Sequence, residues 1–272
     1  VILDWEIIKD LRFQANLSGN FDSYAENEFQ ESWNLGSLSQ QDRYTKDYEL
    51  GHNFRMLYTL TYDRTFADKH YIKGLVGYEA YKAVSSTSGG WRTGFLVQPA
   101  EDISLGVGDK DVAGKKKQNR SLSQFARLNY AYDDKYLLEA SIRRDGYDNF
   151  GPENRFGIFP SASAGWNMGR ESFIRDNVDW ITQLKLRGSY GKIGNNTIDQ
   201  FLYESAFTNE FLYYSYDSEN TQRGFWYSHV ANATIKWEDV AQWNIGIDAS
   251  FLNNRLNTTL EYYDKKTSDM LY

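Results

Sequence analysis

The sequence predicts an all-β protein, a segment of a large antiparallel transmembrane β-barrel, on three observations. Apolar and polar residues alternate over segment after segment, as half-buried strands require. Aromatics make up 17% of the 272 residues while only 3 are proline, a composition that favours strands. The polar connections alternate long and short, as in barrels with long extracellular loops and short periplasmic turns. A soluble sandwich has no reason to segregate loop lengths in this way, because both of its ends face the same water.

Val1 opens directly into a strand-like segment. Over residues 11–21, Leu11, Phe13, Ala15, Leu17, Gly19 and Phe21 alternate with Arg12, Gln14, Asn16, Ser18 and Asn20. A long polar connection over 22–52 precedes Phe54, Met56, Tyr58, Leu60 and Tyr62 on one face. A brief turn leads into residues 71–81, where Ile72, Val76, Tyr78 and Ala80 oppose Lys73 and Glu79. Another long connection, 82–120, is followed by Leu122, Ala126, Leu128, Tyr130 and Tyr132, with Gln124 the exception on that face. After the turn at Asp133-Asp134-Lys135, the strand bearing Tyr136, Leu138, Ala140 and Ile142 sets Glu139, Ser141, Arg143 and Asp145 on its other face. Residues 156–168 and 184–191 continue the pattern, and the longest connection runs from Lys192 to about Gln242. Trp243, Ile245, Ile247, Ala249 and Phe251, a tight Asn253-Asn254 turn, then Leu256, Thr258, Leu260 and Tyr262 complete about nine strands. Single-chain bacterial barrels close with an even number, and an open sheet edge in lipid leaves unsatisfied backbone groups, so this many strands make only part of a wall.

Charge and composition exclude several classes. A net charge of -7 argues against a general nucleic-acid binder. Cys is absent, so there is no disulfide framework and no thiolate site. No window approaches the roughly 18 apolar residues of a membrane helix, but a barrel strand needs only about 9–11 residues with every second side chain in lipid.

Particular motifs carry a resemblance. Arg143-Arg144-Asp145-Gly146, Phe150-Gly151-Pro152-Glu153-Asn154-Arg155-Phe156-Gly157 and Phe159-Pro160-Ser161-Ala162-Ser163-Ala164-Gly165-Trp166 resemble the barrel of SusC/RagA-type TonB-dependent transporters. Gly188-Ser189-Tyr190-Gly191, Lys236-Trp237-Glu238 and Tyr262-Tyr263-Asp264 follow in the order of that family, so the match spans roughly 121–272. The resemblance implies a 22-strand barrel of the bacterial outer membrane, occluded by an N-terminal plug. It also implies uptake of oligosaccharides or peptides, energised through TonB, with a SusD-like lipoprotein closing over the loops. Residues 1–272 are then expected to be a partial barrel domain, with the plug, the TonB-contacting motif and the remaining strands outside it. No cofactor is implied.

Two residue sets are candidates for function. Tyr213, Tyr214, Tyr216, Trp226 and Tyr227 lie in the longest connection, where rigid aromatic faces beside polar side chains suit sugar or peptide capture. The plainer reading is that they pack on one another or on a lid protein. Arg127, Glu139, Arg143, Lys185, Arg187 and Asp248 are expected to face the lumen, as wall residues that bridge to each other or to the plug. Asp145, Asp148 and Glu153 invite a glycosidase reading, but they sit in the transporter-like hairpin loop, where Arg155 is expected to pair with a carboxylate. His52, His70 and His229 lack metal-ligand spacing. Gly106-Val107-Gly108 is not a dinucleotide fingerprint, and Asp109-Lys110-Asp111 and Asp217-Ser218-Glu219 lack the EF-hand glycine and glutamate. No catalytic constellation is present, so an enzyme is not expected. A passive porin, another non-transport barrel and a soluble carbohydrate-binding β-protein are the alternatives.

Overall fold

A computed structural model describes residues 1–198, 202–208, 213–215, 221–223 and 226–271. Ten strands form one antiparallel sheet in chain order. They are β1 (Ile2–Ile8), β2 (Leu11–Gln30), β3 (Arg43–Phe66), β4 (His70–Arg92), β5 (Lys110–Tyr132), β6 (Tyr136–Tyr147), β7 (Phe156–Trp166), β8 (Ile181–Asn195), β9 (Glu238–Phe251) and β10 (Leu256–Ser268). One strand is added to the nine expected, because the strand-like opening segment pairs with β2, Asp4 opposite Gln14 and Trp5 opposite Phe13. The expected long connections 22–52 and 82–120 are largely strand as well. Their alternation is weak because a sheet wetted on both sides needs no apolar face, yet its backbone groups still pair.

The chain forms two compact units, and β2, β3, β4 and β5 each contribute residues to both. The first unit comprises Val1–Asn16, Met56–Ala80 and Ser121–Tyr272. Its register sorts side chains onto two faces, since residues directly opposite in an antiparallel pair share a face. Leu128 pairs with Ala140, Ala140 with Ala162, Ala162 with Tyr190 and Tyr190 with Trp243, so one apolar row crosses five strands. On this face Leu128, Leu138, Ile142 and Ile245 are 51–53% exposed, which water would penalise and a bilayer would not. The row Tyr132, Tyr136 and Trp166 stacks at one end of the face, with ring centroids 6.3 Å apart in both pairs. At the other end Arg144 lies 3.8 Å over the Phe156 ring. Tyr136 to Arg144 is one transmembrane strand length of about 9 residues.

Short turns close the aromatic end. Ala67 and Asp68 have φ of 47° and 56°, and Asp133 and Asp134 both have 51°, the left-handed pair that a two-residue hairpin with the native twist demands. Lys69 N donates to Phe66 O at 3.1 Å and Lys135 N to Tyr132 O at 2.8 Å, closing these turns. The longer connection after β7 carries a 3-10 turn, Met168–Arg170, and a one-turn helix, Ser172–Arg175. Glu171 from this connection accepts the Tyr136 hydroxyl at 2.7 Å and the Trp166 indole N–H at 3.1 Å. Those two bonds, the Tyr136 one first, hold its carboxyl below the usual glutamate range.

The second unit, Leu17–Arg55 and Tyr81–Arg120, has its own small core of Tyr44, Phe95 and Ala100, with Phe29 and Ile103 against it. Buried Asp42 holds the connection after β4: its carboxylate accepts Gly94 N at 2.8 Å, Phe95 N at 2.6 Å and the Gln98 amide at 3.1 Å. Burying a charge is tolerable when it takes several hydrogen bonds at once. A small hairpin, Trp33–Leu35 with Leu38–Gln40, turns at Gly36, where φ is 65°.

Candidate functional site: the charged face and the long-connection end

Opposite the apolar face of the first unit lies a polar one. Register places Arg127 opposite Ser141, Glu139 opposite Asn129 and Ser163, Arg143 opposite Phe125 and Phe159, Lys185 opposite Asp248, and Arg187 opposite Gly246. Arg127, Glu139, Arg143, Lys185, Arg187 and Asp248 therefore share one face, away from Leu128 and Leu138.

Most of these charges are satisfied within the sheet. Arg143 Nε donates to both oxygens of Asp145 at 2.7 and 2.8 Å, and its Nη2 donates to Ser123 Oγ at 2.9 Å and lies 3.7 Å from Glu79. Arg187 Nε reaches Asp248 at 3.1 Å and its Nη2 reaches Glu261 at 3.0 Å, so one guanidinium ties β8 to β9 and β10. The reach needs Gly246 beneath it, because a Cβ there would stand 2.9 Å from Arg187 Cζ. Glu139 accepts the Asn129 amide at 2.5 Å and lies 3.7 Å from Arg127. Asn244 donates to Ser189 Oγ at 3.1 Å, and Ser141 and Ser161 hydroxyls lie 2.7 Å apart.

At the long-connection end, Phe150, Phe159 and Trp237 are buried together, with ring centroids 5.0 Å apart for Phe150 and Trp237 and 5.4 Å for Phe159 and Trp237. The Trp237 indole N–H donates to the Arg155 carbonyl at 3.1 Å, and the Asn149 amide to the Ile198 carbonyl at 3.0 Å, which pins residues 148–155 in place. Arg155 departs from expectation: it makes no ion pair among the described residues, and its Nε is buried without an acceptor. Its value to the loop lies in its carbonyl, which also accepts Tyr147 N at 3.1 Å, while Asp145 is claimed by Arg143. Burial, then the Glu204 carboxylate, push the Tyr203 hydroxyl of this region up.

The aromatic candidates are only partly placed. Tyr213 and Tyr214 belong to a short strand, Tyr213–Ser215, paired with Thr221–Arg223, and Trp226 opens the strand Trp226–His229, paired with Ala206–Thr208. Tyr227 is exposed and packs on Phe207, ring centroids 4.6 Å apart. The side chains of Tyr213, Tyr214 and Trp226, and the whole of Tyr216, lie outside the described residues.

Asn129, Ser163, Ser189 and Asn244 were not singled out from sequence, yet with Glu139, Lys185 and Arg187 they line an open trough of about 480 Å³. Each is a polar residue at a face position of its own strand. Only the cross-strand register gathers them.

Comparison with known proteins fits this architecture. Residues 2–272 match the family described as TonB dependent receptor-like, beta-barrel. TonB-dependent receptor P39 of Formosa agariphila is 32% identical over 271 residues, which is 96% of this chain and 25% of that protein. TonB-dependent receptor SusC of Bacteroides thetaiotaomicron is 36% identical over 161 residues, 57% of this chain and 15% of that protein. The structure of the RagAB peptide transporter superposes with a TM-score of 0.86 at 24% identity, over 98% of this chain and 29% of that one; that likeness carries the fold. The chain thus spans about a quarter of the length of the curated relatives it matches. It belongs to the TonB-dependent receptor-like β-barrel family, as a segment of an outer-membrane barrel wall.

Proposed function

We propose that this segment is part of the wall of an outer-membrane importer of oligosaccharides or peptides, energised through TonB and working with a SusD-like surface lipoprotein. The observation that carries the reading is the division of the first unit into an apolar face with half-exposed leucines and isoleucines and an opposite face of hydrogen-bonded charges. In a barrel the first face meets lipid and the second the lumen. Arg127, Glu139, Arg143, Lys185, Arg187 and Asp248 then face the interior. Two relatives are named TonB-dependent receptors and one neighbour a peptide transporter, which supports coupled uptake and leaves glycan and peptide both open. Tyr213, Tyr214, Tyr216, Trp226 and Tyr227 are proposed to contact substrate or lipoprotein above the membrane. The reading assigns the segment no catalytic role.

The test is uptake of labelled oligosaccharide and peptide pools by cells carrying the full-length protein, with and without an uncoupler. Accumulation that collapses with the uncoupler supports the importer. Uptake that follows the outside concentration and ignores the uncoupler replaces it with a passive porin.

A further inference from the structure

Two cations stand side by side on the charged face of β8, with opposite fates. Arg187 crosses Gly246 and takes two carboxylates, Asp248 and Glu261. Lys185 is directly opposite Asp248 in register, but Asp248 is already occupied by Arg187 on one oxygen and by the Thr259 hydroxyl, 3.1 Å away, on the other. The lysine stem runs the other way, across Gly165, where a Cβ would stand 3.1 Å from its Cε. Lys185 is a partly buried residue of the trough lining, and no carboxylate of the described residues forms an ion pair with it.

The trough's own carboxylate is already engaged. Glu139 is engaged by Asn129 and Arg127. Ser189 Oγ accepts from Asn244, which leaves its own proton available to donate, and the Ser163 hydroxyl lines the same trough. One uncompensated ammonium and two hydroxyl donors match a group that only accepts and carries one negative charge. A cation of a partly buried lining gains from a counter-ion, so occupancy by such a group stabilises the wall.

We propose that this trough is a carboxylate-binding site, with the Lys185 ammonium as counter-ion and the Ser163 and Ser189 hydroxyls donating to the bound oxygens. The site rests on the reading of the charged face as lumenal, and the carboxylate comes either from an acidic side chain of the same polypeptide packed against the wall or from cargo in transit. Gly165 is what keeps the lysine lying flat in the trough. Gly246, the notch on the other side, leaves room for Arg187 to reach Asp248 and Glu261.

A water-soluble carbodiimide tests this directly, because it joins an ammonium to a carboxylate in contact with it as an amide. The wild-type full-length protein in detergent is coupled alone, with a glutamate-containing tripeptide amide, and with the glutamine analogue, and its peptides are mapped by mass spectrometry. Lys135, 3.5 Å from Glu171, serves as the internal positive control. Coupling of Lys185 to an acidic residue beyond Glu139, Asp248 and Glu261 in the protein alone, lost in K185Q, supports the site with an internal carboxylate. Coupling only with the glutamate peptide supports it with cargo. Lys185 left unmodified in all three samples while Lys135 couples, or Lys185 coupled to Glu139 or Asp248, overturns it. Neither negative outcome touches uncoupler-sensitive uptake, so the importer reading stands or falls separately.

Discussion

Glycines on the two faces of the sheet can have contrasting surroundings. On the apolar face nothing stands within 4 Å of a Cβ built on Gly74, and at Gly188 only the Asn244 carbonyl does, at 3.7 Å. On the charged face a Cβ at Gly246 would meet Arg187 at 2.9 Å, and one at Gly77 would meet Phe125 at 2.2 Å. Above Gly74 and Gly188 the space is open, while at Gly246 and Gly77 it is filled by the protein's own side chains. The surroundings outside the sheet therefore decide tolerance at Gly188, and a neighbouring side chain decides it at Gly246.

The largest expected effect tests the identity of the apolar face. Leu138→Arg puts a charge among lipid tails and is expected to cost about 2–4 kcal/mol near the midplane. Ser141→Arg, in the same strand but on the polar face, is expected to cost far less. Denaturant titration of the full-length protein in lipid bilayers measures both. Equal costs would mean that the two faces are assigned wrongly.

The next effect concerns the notches. Gly246→Val evicts Arg187 from its path and strands Asp248 and Glu261, for about 1–3 kcal/mol of overpacking and lost pairing. Gly188→Val meets open space and is expected to change stability by no more than about 1 kcal/mol, with strand propensity in its favour. The same titration reads both, and a Gly188 variant as damaging as the Gly246 one would break the contrast.

Which face a residue takes was legible in the sequence, because the strand period of two sorts Leu138 from Glu139 with no knowledge of neighbours. How far the strands run was not. Beyond Phe21 and before Phe54 the side chains are mostly polar with no regular alternation, and backbone pairing, which leaves no mark in composition, reveals β2 and β3 there. Partner choice was equally hidden. Nothing local separates Lys185 from Arg187; that one goes unpaired among the described residues and the other holds two carboxylates depends on glycines far apart in sequence, Gly165 and Gly246 being 81 positions apart. Asp42 likewise binds a loop more than 50 residues away, Gly94 at a separation of 52, which a scan for local motifs does not see.

The smallest effect is expected where the apolar face ends in the aromatic row. Tyr136 and Trp166 donate to Glu171 there, and the carboxyl is held below its ordinary range by those bonds, with Lys135 3.5 Å away adding its charge. A depressed folded-state value means that the ionised form is favoured by folding. Its contribution is fully present above the ordinary glutamate range and is lost as pH falls through the lower folded-state value. Glu171→Gln keeps the shape but cannot ionise, so wild type should exceed the variant in denaturant midpoint at neutral pH, and the gap should close on acidification through that window. Because part of the effect is the charge of Lys135 beside Glu171, the gap should also shrink with added salt, whereas the penalty at Leu138 should not respond to salt at all. No gap at neutral pH would show that the row is held by ring packing alone and that Glu171 plays no part in anchoring the end of the apolar face.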